Sequence, residues 1–250
     1  KFGTKVLGKT LHASLKRIQK AYAVSEPAKQ FMHDSFSLDG DVLGNPVDYT
    51  FYRSYKKGSK AEGETSIVFV GRFDERKGVK QLIKALEIVE LSTDRRIYTT
   101  MCGKGPLLDT VKDFAQKKSL NVEFPGFVDD KQKAQFLASA DIAVFPSISG
   151  ESFGIVLTEA MSSGAGVTIG GNNPGYASVL HPWPETLFDA TKPEAIAVKL
   201  LYFIGNPNQR MRIGNEQHKS VAAFDTKHIV ATLLSDYSAL LAKTTENHHN

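Results

Sequence analysis

The sequence predicts an α/β fold, a doubly wound and mostly parallel sheet with helices on both faces, and three observations carry that expectation. From residue 66, short β-branched runs alternate with stretches whose apolar residues recur at helical spacing. Several strand-like runs end in glycine (Gly71, Gly103, Gly126 and Gly170), as an open α/β sheet does where ligands approach the carboxyl ends of its strands. With 250 residues, 41% hydrophobic and 23% charged, the composition is that of a soluble globular protein large enough for one large domain or two small ones.

The elements follow in order. Ser66 to Gly71 reads as a buried strand, and Val79, Leu82, Ile83, Leu86 and Val89 then mark a helix. Ile97 to Gly103 is the second strand, followed by a helix over 106–118. Val122 to Gly126 is a short third strand, with a helix near 131–140. Asp141 to Pro146 is the fourth, followed by a helix over 154–163. Gly166 to Gly170 is the fifth strand and Thr186 to Asp189 a sixth. Helical segments follow residue 192, the last running from about His228 to Lys243. Residues 1–50 differ. A basic amphipathic segment, Leu11 to Lys20, leads into the strand-like Ala21 to Val24, and Ser25 caps a helix with Pro27 in its first turn. Asn45-Pro46-Val47-Asp48 reads as the turn leading out, so this stretch resembles one βα unit of a preceding domain.

Composition narrows the classes of function. A net charge of +4 suits anionic ligands but is too small to argue for nucleic acid, and the aromatic residues are not interleaved with basic ones. Cys102 is the single cysteine, which excludes an intrachain disulfide and makes a reducing cytoplasm the simplest compartment; it reads as a buried, inert thiol. No apolar run approaches the ~20 residues needed to span a bilayer, and no signal peptide is recognisable. Because Lys1 stands where a methionine would, the chain reads as a fragment, and His248-His249 as a tail rather than a metal site.

Chemistry concentrates in four places. In Gly150-Glu151-Ser152-Phe153-Gly154-Ile155-Val156-Leu157-Thr158-Glu159, two carboxylates lie eight positions apart around a glycine at a helix start. The free N–H groups and dipole of that start favour a phosphate. Glu159 falls about two turns into the helix, ~12 Å along its axis. On a largely apolar helix it needs a partner, either vicinal ribose hydroxyls or a cation. An anionic phosphate flanked by hydroxyl-rich sugars matches this layout, so a nucleotide-sugar is the natural ligand. The loop Gly71-Arg72-Phe73-Asp74-Glu75-Arg76-Lys77-Gly78 puts three cations at the carboxyl edge of the sheet, with a forked guanidinium and a mobile ammonium for phosphate. Gly103-Lys104-Gly105-Pro106 adds a weaker signal of the same kind. In Gly126-Phe127-Val128-Asp129-Asp130 with Lys133, Asp129 or Asp130 caps a helix, or the Val128 backbone and a neighbouring side chain read a nucleobase edge.

With the Glu-x7-Glu spacing and Gly-Arg…Lys-Gly together, the chain resembles the large retaining glycosyltransferase family 4 (group 1), of the two-lobed GT-B fold. Within it, Gly126 to Asp130 and Gly150 to Leu157 are most similar to the phosphatidylinositol mannosyltransferases. The resemblance runs from about Ala21 to the end, and Asn45-Pro46-Val47-Asp48 matches an interlobe Asn-Gly-Val-Asp element with Pro46 in place of glycine. It implies that residues 1–48 are the end of an otherwise missing N-terminal acceptor lobe, 49–225 a Rossmann-like donor-binding domain, and 226–250 a helix packing back toward the first lobe. It further implies that Arg72 and Lys77 neutralise the donor diphosphate, that Glu151 holds sugar hydroxyls, and that these three form the catalytic set. Gly71, Gly103, Lys104, Ser152, Phe153, Gly154 and Ile155 would line the donor site, Glu159 would bind ribose, and Val128 with Lys133 would lie near the base.

The implied activity is transfer of a hexose, mannose above all, from GDP-mannose or a UDP-sugar to an acceptor glycan or glycolipid. It proceeds with retention and without a metal or cofactor, in the cytoplasm, at the inner face of the membrane through contacts of the missing lobe. No pair of carboxylates can be placed ~5 Å apart for double displacement, so a front-face route is expected. The segment Ile169 to Tyr176 lacks the acidic residue usual in the family, which leaves the donor sugar open. The competing readings are a nucleotide-sugar-binding module without transferase activity and a related GT-B phosphorylase or epimerase.

Overall fold

The structure, a computed structural model, describes residues 12–56, 58 and 63–247; Lys1, Leu11 and His248-His249 lie outside them. Six strands form one parallel sheet: β3 (Glu64–Val70), β4 (Arg96–Cys102), β5 (Val122–Gly126), β6 (Ile142–Phe145), β7 (Thr168–Gly171) and β8 (Leu187–Phe188), in the order β5-β4-β3-β6-β7-β8. All four residues of β6 are buried, as a strand covered on both faces must be. The order grows outward in one direction from β3 through β4 to β5, then resumes on its other side at β6. The topological switch therefore falls between β3 and β6.

The helices between these strands are α4 (Val79–Ser92), α5 (Leu108–Lys117), α6 (Asp130–Ser139), α7 (Ile155–Ser162) and α8 (Pro174–Leu180). Beyond β8 come α9 (Pro193–Gly205), α10 (Pro207–Ser220) and α11 (Thr226–Asn247). The apolar face of α4, set by Val79, Leu82, Ile83, Leu86 and Val89, is fully buried and packs on α9, whose Leu200 and Phe203 are equally buried.

The N-terminal region holds α1 (His12–Leu15), β1 (Tyr22–Ala23), α2 (Glu26–Phe36), β2 (Asp41–Val42) and α3 (Tyr49–Arg53). Ser25 caps α2 as its sequence requires, accepting from the Ala28 N–H at 3.3 Å, with Pro27 in the first turn. The parallel pairing of β1 with β2 makes this a β-α-β unit, one strand more than the sequence suggested. It is tied to the main body: Ser25 Oγ donates to the Ser152 carbonyl at 2.5 Å, and Tyr22 hydrogen-bonds Asp236 of α11. At the exit, the Val47 N–H donates to the Phe224 carbonyl at 2.9 Å, while the Thr226 N–H and Oγ1 donate to the Val47 carbonyl at 3.0 and 3.1 Å.

Two stretches take a form that the sequence left open, and one expectation needs correcting. Among the described residues, the basic segment ending at Lys20 is helical over His12–Leu15 only. The turn-rich Ile169 to Tyr176 contains a helix start, with the Asn173 side chain accepting from the Tyr176 N–H at 3.0 Å and Pro174 opening α8. Finally, α7 begins at Ile155 with Gly154 as its N-cap, so Glu159 sits about one turn into it rather than two.

Candidate functional site

The loops leaving β3 and β6 meet at the switch point. After Gly71, Asp74 caps a short 3-10 turn, Glu75–Lys77, by accepting from the Lys77 N–H at 3.0 Å. That turn aims Lys77 across the gap, where its ammonium donates to Glu151 Oε1 at 2.8 Å, both side chains less than one-fifth exposed. Arg76 closes the same gap: its Nη1 donates to the Gly150 carbonyl at 2.7 Å and lies 3.6 Å from Glu151 Oε1. Gly78 must be glycine here. Its φ is +67°, and a Cβ would fall 2.0 Å from the Pro146 carbonyl oxygen at the end of β6. Arg72, by contrast, is 71% exposed and only 3.6 Å from Asp74, so its guanidinium faces solvent at the cleft mouth.

The ends of β3, β4 and β5 converge as closely. Gly103 has a φ of +137°, and a Cβ would meet the Gly71 carbonyl at 1.8 Å; its N–H donates to the Gly126 carbonyl at 2.7 Å. Beyond them opens a cleft of about 360 Å³ lined by Gly71, Arg72, Gly103, Lys104, Val128 and Lys133. Asp129 is the N-cap of α6 in a reciprocal capping box with Gln132 (2.8 and 3.1 Å), which settles its capping reading and leaves Val128 immediately before the cap. Cys102 is buried beside this cleft, and burial pushes its thiol up to about 12, in keeping with an inert role.

The start of α7 has no side-chain cap. Gly154 takes a φ of +107°, and a Cβ there would approach the Tyr176 ring to 2.6 Å. A helix opened in this way leaves its first N–H groups to a ligand. The Phe153 side chain is not part of that surface: it is buried against Phe224, ring centroids 5.2 Å apart. Ser152 and Ile155 are exposed on either side of it, and Gly154 is buried.

Glu159 has found protein partners. The Tyr52 hydroxyl and the Lys133 ammonium both donate to its Oε1 at 2.8 Å, and Lys133 also reaches Asp130 Oδ1 at 3.0 Å. The ammonium lies 5.6 Å from the centre of the Tyr52 ring. Burial is the largest influence on Lys133 and works to lower its pKa, but hydrogen bonding to Glu159 and Tyr52 outweighs it and the net shift is upward. Burial also raises the Tyr52 phenol, helped by the Glu159 charge. Of the two partners that the sequence offers for Glu159, ribose hydroxyls or a cation, the cation is therefore the one present. Glu159 lines a second cleft of about 580 Å³ with Asp48, Tyr52, Asp129 and Asp130, so Lys133 stands between it and the Val128 cleft.

Sequence reasoning missed Tyr52, Ser25 as an anchor of the Ser152 carbonyl, and the specific role of Arg76. Arg76 was visible as one cation of three; nothing near Tyr52 in the chain marked it. Among the described residues, no group of three or more His, Cys, Asp or Glu side chains is placed to hold a metal ion. No described helix is long and apolar enough to cross a membrane.

The six-stranded parallel sheet of this order has the fold of GT-B glycosyltransferase structures. A glycosyltransferase from Rickettsia africae superposes with a TM-score of 0.79 over 93% of this chain and 67% of its own, at 18% identity. Anabaena Alr3699/HepE, solved in complex with UDP and glucose, gives 0.77 over 94% and 67%, also at 18% identity. The chain belongs to the glycosyl transferases group 1 family, whose model matches residues 52–220. It is 36% identical over 149 residues to the phosphatidyl-myo-inositol mannosyltransferase of Mycobacterium tuberculosis, covering 58% of this chain and 38% of that protein. The chain thus spans less than half the length of that relative.

Proposed function

We propose that this chain is the donor-binding half of a retaining hexosyltransferase that takes a hexose, mannose above all, from a nucleotide-sugar, GDP-mannose or a UDP-sugar. The observation that carries the reading is the pair of cation-held carboxylates, Glu151 on Lys77 and Glu159 on Lys133, on either side of the uncapped start of α7. The donor diphosphate lies against the N–H groups of that start, with Arg72 and Lys77 neutralising the leaving nucleotide as a metal does in other folds. Glu151 holds hydroxyls of the transferred sugar, Glu159 those of the ribose, and Val128 and Lys133 border the base. Mannose as the sugar rests on the names of the curated relatives; UDP as an alternative rests on the Anabaena complex. The acceptor is a glycan or glycolipid, met by the other half of the enzyme at the cytoplasmic face of a membrane.

Both carboxylates are already held by cations, which suits ligand binding better than nucleophilic attack. The reading therefore takes a front-face route, the departing phosphate accepting the acceptor's proton. A trapped glycosyl-enzyme would overturn that route. For the reading as a whole, calorimetry of the 250-residue chain with GDP, UDP, ADP and their sugar conjugates is decisive. One nucleotide should bind selectively and lose its affinity in Glu159→Ala; binding of none would sink the reading. A module that binds nucleotide-sugars without transferring them remains the second reading, because the chain spans only 38% of a transferase relative; absence of transfer by the full-length protein would favour it.

A further inference from the structure

A buried phenol needs a partner for its hydroxyl, and Tyr52 is buried in α3. It reaches 107 residues along the chain to donate to Glu159 Oε1, the oxygen that also receives Lys133. A carboxylate oxygen has two lone pairs, so these two bonds occupy the hydrogen-bonding capacity of Oε1. Every hydrogen bond to the Glu159 carboxylate among the described residues falls on that one oxygen, which leaves Oε2 for a ligand. Two donors on one oxygen, at equal distance and from different elements, α3 and α6, also fix the plane of the carboxylate. Lys133 is in turn held by Asp130 and by the Tyr52 ring, so the three side chains lock one another.

From this geometry we infer that Tyr52 is a positioning residue for nucleotide recognition. It aims Glu159 so that Oε2 alone accepts the ribose hydroxyls, and the preference for a ribonucleotide over its deoxy counterpart depends on the Tyr52 hydroxyl. The inference rests on the donor-site reading above and adds a residue outside the Glu-x7-Glu spacing. Tyr52 itself does not touch the ligand; it acts through Glu159. Without its hydroxyl one lone pair of Oε1 is released, the carboxylate turns about its Cγ–Cδ bond, and the ribose bond is shared between two orientations.

The test compares Tyr52→Phe with the parent chain by calorimetry, using a ribonucleoside diphosphate, its 2′- and 3′-deoxy forms, and inorganic pyrophosphate. Phenylalanine keeps the ring in the core and the contact with Lys133, so the variant should fold, and a thermal melt checks that it does. The parent should prefer the ribonucleotide by about tenfold, the worth of one hydrogen bond to a charged group. Tyr52→Phe should shrink that ratio several-fold and leave pyrophosphate affinity unchanged, whereas a merely structural loss would weaken all ligands in proportion and preserve the ratio. An unchanged ratio in Tyr52→Phe overturns the inference alone. So does a ribose preference that survives in Glu159→Gln, or a parent that binds ribo and deoxy forms equally. A parent that binds no nucleotide overturns the donor-site reading, and this inference with it.

Discussion

Glu159 shows how a residue can be legible in kind and illegible in detail. Its position in an apolar run, between Leu157 and Met161, told of a carboxylate that needs a partner. The partners lie 26 and 107 residues away, and no spacing in the chain announces contacts of that range. Removing the carboxylate strands both donors. Glu159→Ala should cost about 1–3 kcal/mol, the penalty of leaving partly buried polar groups unpaired. It should appear as a lower urea midpoint with an unchanged m-value. Cys102 is the opposite case, since a lone cysteine after a strand-like run was readable at once as an inert core thiol. With its pKa near 12, only about one thiol in 10⁵ is ionised at pH 7. An Ellman-type reagent should therefore label the chain only as fast as it unfolds.

At the scale of elements, long periodic segments were legible, and of the short ones β1 and β8 were legible while β2 and α3 were not. Strands β3, β4 and β6 fall where the apolar pattern puts them, with ends shifted by one or two residues, and helix α4 covers its pattern from Val79 and runs on to Ser92. Strand β2 has two residues and α3 has five, too few for any period to register, whereas β1 falls within the strand-like Ala21 to Val24. The start of α8 was available as Asn173 followed by Pro174, but the flanking glycines and asparagines carry an equally strong turn signal, and tertiary packing decided between them. The start of α7 is the element on which the proposed site depends, and Gly154 is its weak point. Gly154→Ala should destabilise by about 1–3 kcal/mol, because alanine there combines a left-handed backbone with a ring clash. Gly205→Ala is the matching control. It ends α9, its Cβ meets nothing within 4 Å, and the exchange should be neutral or slightly stabilising. Chemical denaturation of the two variants side by side checks both statements.

For the whole molecule, the buried acids set a direction for stability with pH. Burial raises the Cys102 thiol from 9.0 to about 12 and raises the Tyr52 and Tyr176 phenols above their usual 10.0. The folded chain therefore holds these protons more tightly than the unfolded one. Their contribution is complete below pH 9 and is lost as the pH climbs toward 12. Urea midpoints measured from pH 7 to 11 should hold level and then fall on the alkaline side. Saturating nucleotide, at about 100 times its dissociation constant, should raise stability by about 2.7 kcal/mol if the donor site is as proposed.

The clamp at Val47 and Thr226 has a mechanical meaning. Three hydrogen bonds join the strand of chain entering the sheet-bearing body to the strand leaving it, so the segment from Asp48 to Asp225 begins and ends at one point, like a loop closed by a knot. A tug on the chain from either side is shared between that clamp and the ties of Ser25 to Ser152 and Tyr22 to Asp236. A body hung in this way can also be cut out and set into another chain without a gap to bridge.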